Sequence, residues 1–130
     1  MATVTAAISL TSTDLLSDNL AVSVNTSITA ANTTGLARRP VTATAVHADA
    51  TTLFTASDFS APAYLYIKNT DSTATDYIYV YDDTTSGDPF ILKLAGGDWA
   101  FMPLNAGLTL KAYATTNPTV VEFMVIGTDA

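Results

Sequence analysis

His47 is the only histidine of the chain, and it stands in A-V-H-A-D-A-T two residues before Asp49. A histidine beside a carboxylate supplies two parts of a Ser-His-Asp relay, and serines are common in this sequence. No G-x-S-x-G elbow marks one serine as activated, so His47 reads as a surface-loop residue. A second concentration of chemistry lies in D-D-T-T-S-G-D-P, where Asp82, Asp83 and Asp88 could supply oxygen ligands to calcium. An EF-hand loop beginning at Asp82 needs glutamate at its twelfth place, where this chain has Lys93. Asp, Thr, Ser, Gly and Pro are also the ordinary residues of a hairpin loop, and that is the reading taken.

The remaining candidates are weaker. Glu122, the only glutamate, stands between Val121 and Phe123 with no partner carboxylate for glycoside hydrolysis. Gly96-Gly97 makes a backbone turn and no phosphate cradle, since no helix follows it. Trp99 and Phe101 are suited to stacking on a sugar ring, but also to a sandwich interior. Sequons at Asn25 and Asn32 lack a secretory signal ahead of them. The chain reads as a non-enzyme with no cofactor and no metal.

The stretch that organises the rest is Ala63–Asp82, A-Y-L-Y-I-K-N-T-D-S-T-A-T-D-Y-I-Y-V-Y-D. Two alternating runs, Tyr64–Lys68 and Tyr77–Tyr81, flank a polar segment, which predicts a β-hairpin. Pairing Ile67 with Ile78 puts Leu65 opposite Val80 on one aliphatic face. The same register puts Tyr66 opposite Tyr79 and Tyr64 opposite Tyr81 on the other face. Tyrosine suits a contact surface because its ring is apolar and its hydroxyl is not. Tyr64, Tyr66, Tyr79, Tyr81 and Trp99 are therefore the candidate protein-interface residues. A second core layer is the competing reading for the four tyrosines.

Composition agrees with β structure. The chain has 130 residues, 23 of them threonine, with 48% hydrophobic and only 13% charged residues. Thr, Val, Ile and Tyr favour strands, whereas the helix formers Glu and Lys are scarce. A net charge of −7 argues against nucleic acid, whose binders carry basic patches, and against anionic membranes. With no cysteine there is no disulfide. No basic segment precedes the first apolar residues, so no signal peptide is expected, and no run approaches a membrane span.

Alternation along the chain predicts about nine or ten short strands, in an antiparallel β-sandwich of jelly-roll or immunoglobulin-like type. Strands are expected over 2–10, 20–28, 36–46 with an edge or bulge at Pro40, 53–54, the two hairpin runs, 90–94, 99–103, 108–113 and 120–126. The segment 108–126 loosely repeats the plan of the central hairpin. One sandwich domain is expected over 1–130. All 12 aromatic residues lie between Phe54 and Phe123. Residues 1–46 therefore lack the large side chains of a self-sufficient core, and an arm that buries itself only on assembly would account for that.

The run L-F-T-A-S-D-F-S-A-P-A-Y-L-Y-I-K-N-T (Leu53–Thr70), the following Y-I-Y-V-Y and the segment L-A-G-G-D-W-A-F-M-P-L (Leu94–Leu104) resemble small virion proteins of tailed bacteriophages. In those proteins a strand ending in K-N-T and a segment of the form A-G-[GD]-x-W/F-x-F-x-P sit in Thr- and Ala-rich β-domains. The resemblance covers roughly the C-terminal two-thirds, and the N-terminal third matches in composition only. It implies a capsid decoration (cement) protein, made in the host cytoplasm and bound to the major capsid protein on the outer surface of the virion. It further implies a homo-oligomer, commonly a trimer. The resemblance brings no catalytic residues. A head or tail fibre module that binds a receptor or glycan, with Trp99 and the Asp82–Asp88 loop at its site, is the alternative. A hydrolase on a β-scaffold ranks last.

Overall fold

The computed structural model describes residues 1–44, 49–55, 58–83, 90–105, 107–116 and 118–129. These contain eleven strands: β1 (Ala2–Ser12), β2 (Leu20–Ala30), β3 (Asn32–Thr33), β4 (Ala37–Val41), β5 (Thr51–Phe54), β6 (Phe59–Asn69), β7 (Ile78–Asp82), β8 (Phe90–Leu94), β9 (Trp99–Leu104), β10 (Leu110–Ala114) and β11 (Thr119–Asp129). The chain is all-β, as its composition requires. It divides into two compact units, Met1–Ala31 and Asn32–Ala130.

The first unit is a two-stranded antiparallel ribbon of β1 and β2, paired without a break from Ala2–Ala30 to Ser12–Leu20. Its turn is tied by the Ser12 hydroxyl, which donates to Asp14 Oδ1 at 2.9 Å and accepts from the Leu15 N–H at 3.1 Å. The separate unit therefore ends at Ala31. Of the segment 1–46 expected as an arm, residues 32–41 belong to the sandwich as β3 and β4.

The second unit is a sandwich of two antiparallel sheets. In one, β11 lies between β6 and an edge made of β3 and β4, and β9 follows β6; the other has the order β5-β10-β7-β8. Apart from the β7–β8 hairpin, the chain changes sheet at every connection from β4 onward. Taken as one edge strand, β3 and β4 bring the count to four strands per sheet. Eight strands so ordered and connected form a jelly roll, which decides between the two sandwiches considered from sequence. The edge strand is broken at Gly35, whose φ of 67° suits glycine. There the Thr34 hydroxyl accepts the Val125 N–H at 2.9 Å, replacing a ladder bond. Pro40 sits on this edge, where its missing N–H costs no pairing.

One core joins the sheets. Leu65, Ile67, Val121, Phe123 and Val125 from one meet Ile78, Val80, Leu94, Leu110 and Ala112 from the other. Arg39 closes the sandwich at the edge strand: its guanidinium donates to the backbone carbonyls of Thr52 and Leu53 on β5. The same group lies 5.8 Å from the centre of the Phe123 ring.

The predicted hairpin of Tyr64–Lys68 with Tyr77–Tyr81 does not form. β6 pairs with β11 and β9, whereas β7 pairs with β10 and β8 in the opposite sheet. Alternation had the faces right: Leu65, Ile67, Ile78 and Val80 all enter the core. Residues 70–77 cross between sheets in place of turning back, a gap of roughly 10 Å that eight residues span easily. Residues 108–126 do the same, since β10 and β11 also lie in opposite sheets.

Asn69 anchors this crossing and is fully buried. Its Nδ2 donates to the carbonyls of Asp76 at 2.8 Å and Leu94 at 3.1 Å, and its Oδ1 accepts the Asp71 N–H at 3.1 Å. Its backbone exchanges bonds with the glycine turn: Asn69 N–H donates to the Asp98 carbonyl and Gly97 N–H to the Asn69 carbonyl. K-N-T and A-G-G-D are thus two sides of one corner. Gly97 has a φ of 88°, and a Cβ on Gly96 would stand 2.2 Å from the Thr73 carbonyl oxygen. Gly96→Ala is therefore expected to destabilise the sandwich by about 2–3 kcal/mol through overpacking against backbone, measurable as a lower denaturant midpoint at unchanged slope. A loss below roughly 0.5 kcal/mol, the ordinary range of surface substitutions, would show that the crossing yields freely.

Candidate interaction surfaces

The outward face of the β4-β11-β6-β9 sheet is built from every second residue of its strands. Arg38, Glu122, Lys68 and Trp99 stand directly across from one another in one row over four strands. Met124, Tyr66 and Phe101 form the next row, and Tyr64 and Pro103 belong to a third. Tyr64 and Phe101 are stacked, with ring centres 6.0 Å apart and planes at 8°. Trp99 is 56% exposed. Its partners on neighbouring strands are half-buried, so the large rings meet solvent across a pleated, rigid surface.

Charge on this face is tied down. Arg38 Nε donates to Glu122 Oε2 at 2.8 Å, and the Tyr66 hydroxyl donates to Glu122 Oε1 at 3.1 Å. Both bonds favour the carboxylate, Arg38 more than Tyr66, and hold the Glu122 carboxyl below its ordinary range. Burial, aided by the bond to Glu122, raises the Tyr66 hydroxyl. Arg38, Lys68 and Glu122 leave the face with one excess positive charge, in a chain whose net charge is −7.

A carboxyl with a depressed folded pKa contributes stability that is present above its unfolded value of about 4.3 and is lost as pH falls through the folded value. Wild-type protein is expected to lose more thermal stability between pH 6 and pH 3 than Glu122→Gln. Parallel melting profiles for the two proteins would show that the Arg38–Glu122–Tyr66 chain contributes nothing.

The other expected interface residues are elsewhere. Tyr79 and Tyr81 are on the outward side of the β5-β10-β7-β8 sheet, away from Tyr64 and Tyr66. Tyr81 is fully buried there, edge-on to Tyr113 at 6.3 Å. Burial also raises the Tyr113 hydroxyl. Tyr79 stacks on Tyr113 at 5.3 Å and leans on Phe90 at 4.8 Å, and Lys93 Nζ stands 4.2 Å over the Tyr77 ring. Thr44, Tyr79, Phe90, Tyr113 and Thr115 line an open depression of about 390 Å³. Tyr64 and Tyr66 thus lie on one surface and Tyr79 on another, because β6 and β7 do not pair, and Tyr81 is buried beneath the second.

The fibre alternative puts Trp99 and the Asp82–Asp88 loop at one site; β9 and β7 are in different sheets, and residues 84–88 of that loop lie outside the described residues. Asp82 is buried and its Oδ1 accepts the Thr109 N–H at 3.4 Å, while Asp83 pairs with Lys111 at 2.9 Å. Both carboxylates thus serve the β7–β10 junction. Asp88 and His47 lie outside the described residues. Among the described residues no three His, Asp or Glu side chains gather as a metal site would require. No helix among them is long and apolar enough to cross a membrane.

Sequence reasoning missed Phe101, Arg38, Lys68 and Glu122 as members of the face. The alternation of W-A-F-M-P and R-R-P-V marked their sides, but only the pairing of β6 with β9 and β11 brings them to Tyr64 and Tyr66. No protein-family model, curated protein or solved structure matches the chain.

Proposed function

We propose that this chain is a structural virion protein, a capsid decoration protein that binds the major capsid protein on the outer surface of a tailed-phage shell and stabilises it. The observation that carries the reading is the face of Trp99, Phe101, Tyr64 and Tyr66 around the Arg38–Glu122 pair. It offers one exposed and three half-buried rings with few χ angles to freeze, on a hydrogen-bonded sheet, next to a charge pair that gives direction. Jelly rolls serve in viral coats and in lectins, so the architecture suits the role without assigning it. The resemblance of the Leu53–Thr70 and Leu94–Leu104 segments to phage virion proteins supplies the shell as the partner, and a homo-oligomer, a trimer, as the bound form.

The test is the number of copies of this polypeptide in purified virions, by quantitative mass spectrometry. Stoichiometry near that of the major shell protein supports decoration. A handful of copies moves the reading to a fibre or receptor-binding part, and absence from virions overturns both.

The depression of Thr44, Tyr79, Phe90, Tyr113 and Thr115 favours a second reading, a glycan-binding module. Aromatic walls and threonine hydroxyls together match the apolar and polar faces of a pyranose. Binding on a glycan array that Phe90→Ala abolishes supports it, and an array without hits sinks it.

A further inference from the structure

The ribbon of β1 and β2 sorts its residues cleanly. Val4, Ala6, Ile8 and Leu10 face Ile28, Thr26, Val24 and Val22 on one side. Thr3, Thr5, Ala7, Ser9 and Thr11 face Thr29, Ser27, Asn25, Ser23 and Ala21 on the other. The aliphatic side is open towards the turn: Leu10 is 54% and Val24 60% exposed, with Ile8 and Val22 next to them also exposed. Neither strand contains a charged residue or a proline. Both outer edges therefore present long rows of backbone N–H and C=O groups with none of the usual protection against pairing. A lone two-stranded ribbon is at best marginally stable in water. Ile28 at the far end of that side is already buried, so the turn half of the aliphatic face and the two unprotected edges are what call for a cover.

We infer that the cover is the same ribbon of other copies of this chain, the β1 edge of one against the β2 edge of the next, closing into a ring with the aliphatic face inside. Charge selects the occupant. A chain of net charge −7 repels itself, and the ribbon strands are where two copies meet without like charges. Area and geometry select the ring. Eleven residues at ~3.4 Å make each strand roughly 37 Å long, so one face of a two-stranded ribbon covers roughly 370 Å². A stable contact needs roughly 800 Å² per partner, about twice what a single face-to-face pairing supplies. Edge pairing on both sides adds the missing contact and satisfies both rows of backbone groups. Two ribbons would close a four-stranded tube, too narrow for Ile8, Leu10, Val22 and Val24, because side chains just fill a barrel of about eight strands. Three or four copies fit. The contact is head-to-tail, and ring closure stops it from running on as a fibre. The inference concerns how copies join and does not rest on what the assembly binds.

The test is the mass of the full-length chain in solution at micromolar concentration, by light scattering and sedimentation equilibrium, for wild type, Val24→Asp and Ser23→Asp. Wild type is expected as a discrete species of three or four chains. Val24→Asp, on the aliphatic face, is expected as a single chain, and Ser23→Asp, on the polar face, is expected to keep the wild-type mass. Because every aromatic residue lies in the sandwich, tryptophan fluorescence and near-ultraviolet dichroism report its folding separately from the ribbon. They are expected to be unchanged in all three proteins. A monomeric or dimeric wild type, an oligomer indifferent to Val24→Asp, or equal loss of mass in both variants each overturns the inference.

Discussion

Asn69→Ala is expected to destabilise the sandwich by about 3–5 kcal/mol. The side chain is wholly enclosed, and alanine leaves the carbonyls of Asp76 and Leu94 and the N–H of Asp71 without the partner each now has. An orphaned buried group costs about 1–3 kcal/mol, and relaxation recovers part of the sum. Against a total stability of about 5–15 kcal/mol, that removes from about a fifth to all of the margin. Asn69→Asp is expected to be worse at neutral pH, because it sets a carboxylate where the amide donates to two carbonyls. Urea unfolding followed by Trp99 fluorescence measures both. A cost for Asn69→Ala below about 1 kcal/mol, that of a single ordinary hydrogen bond, would mean that water replaces the amide and the corner is not closed.

If the chain decorates a capsid as proposed, the second large effect is on attachment. Trp99→Ala is expected to weaken binding to purified capsids lacking this protein at least about 30-fold, the consequence of removing a hot-spot residue worth about 2 kcal/mol or more. Its melting temperature is expected to hold, because the indole is mostly in solvent. Tyr79→Ser is the matched change on the opposite sheet and is expected to leave capsid affinity within a factor of about three, the effect of a near-neutral contact. The reverse outcome, loss with Tyr79→Ser and none with Trp99→Ala, would assign attachment to the other face. Equal indifference to both would remove the aromatic surfaces from the interaction.

Strand existence was legible because period-2 alternation is a local property: Leu65, Ile67, Ile78 and Val80 show their side by their neighbours alone. Which strand lies beside which is not local. The polar run 70–77 has the composition of a hairpin turn, and only its length and the burial of Asn69 distinguish a crossing. Pro40 on an edge was legible from its lost donor. The interface candidates fared according to the same division. Trp99, Tyr64 and Tyr66 share a face because β6 and β9 are neighbours, a pairing with no mark in sequence. Alternation puts Tyr81 on the face away from Val80, yet Tyr113 from β10 packs against it edge-on and it is buried. Arg38 and Glu122 are 84 positions apart, and nothing along the chain announces their bond.

Both sheets depend on strands that come last in order of synthesis. β10 lies between β5 and β7 in one sheet, and β11 between the β3–β4 edge and β6 in the other. Among the described residues, only β1–β2 and β7–β8 join strands consecutive in sequence, and such hairpins form within roughly microseconds. Of the remaining pairings, β6–β9 awaits residues 99–104 and the others await residues 110–129, and sandwiches dominated by such distant partners fold in roughly milliseconds to seconds. On the ribosome the ribbon emerges before the sandwich strands, and neither sheet can close until its central strand has followed. The uncharged, pairing-competent edges of the ribbon are therefore exposed before either sheet can close, and unpaired edges of that kind are what slow-folding β domains misassemble through.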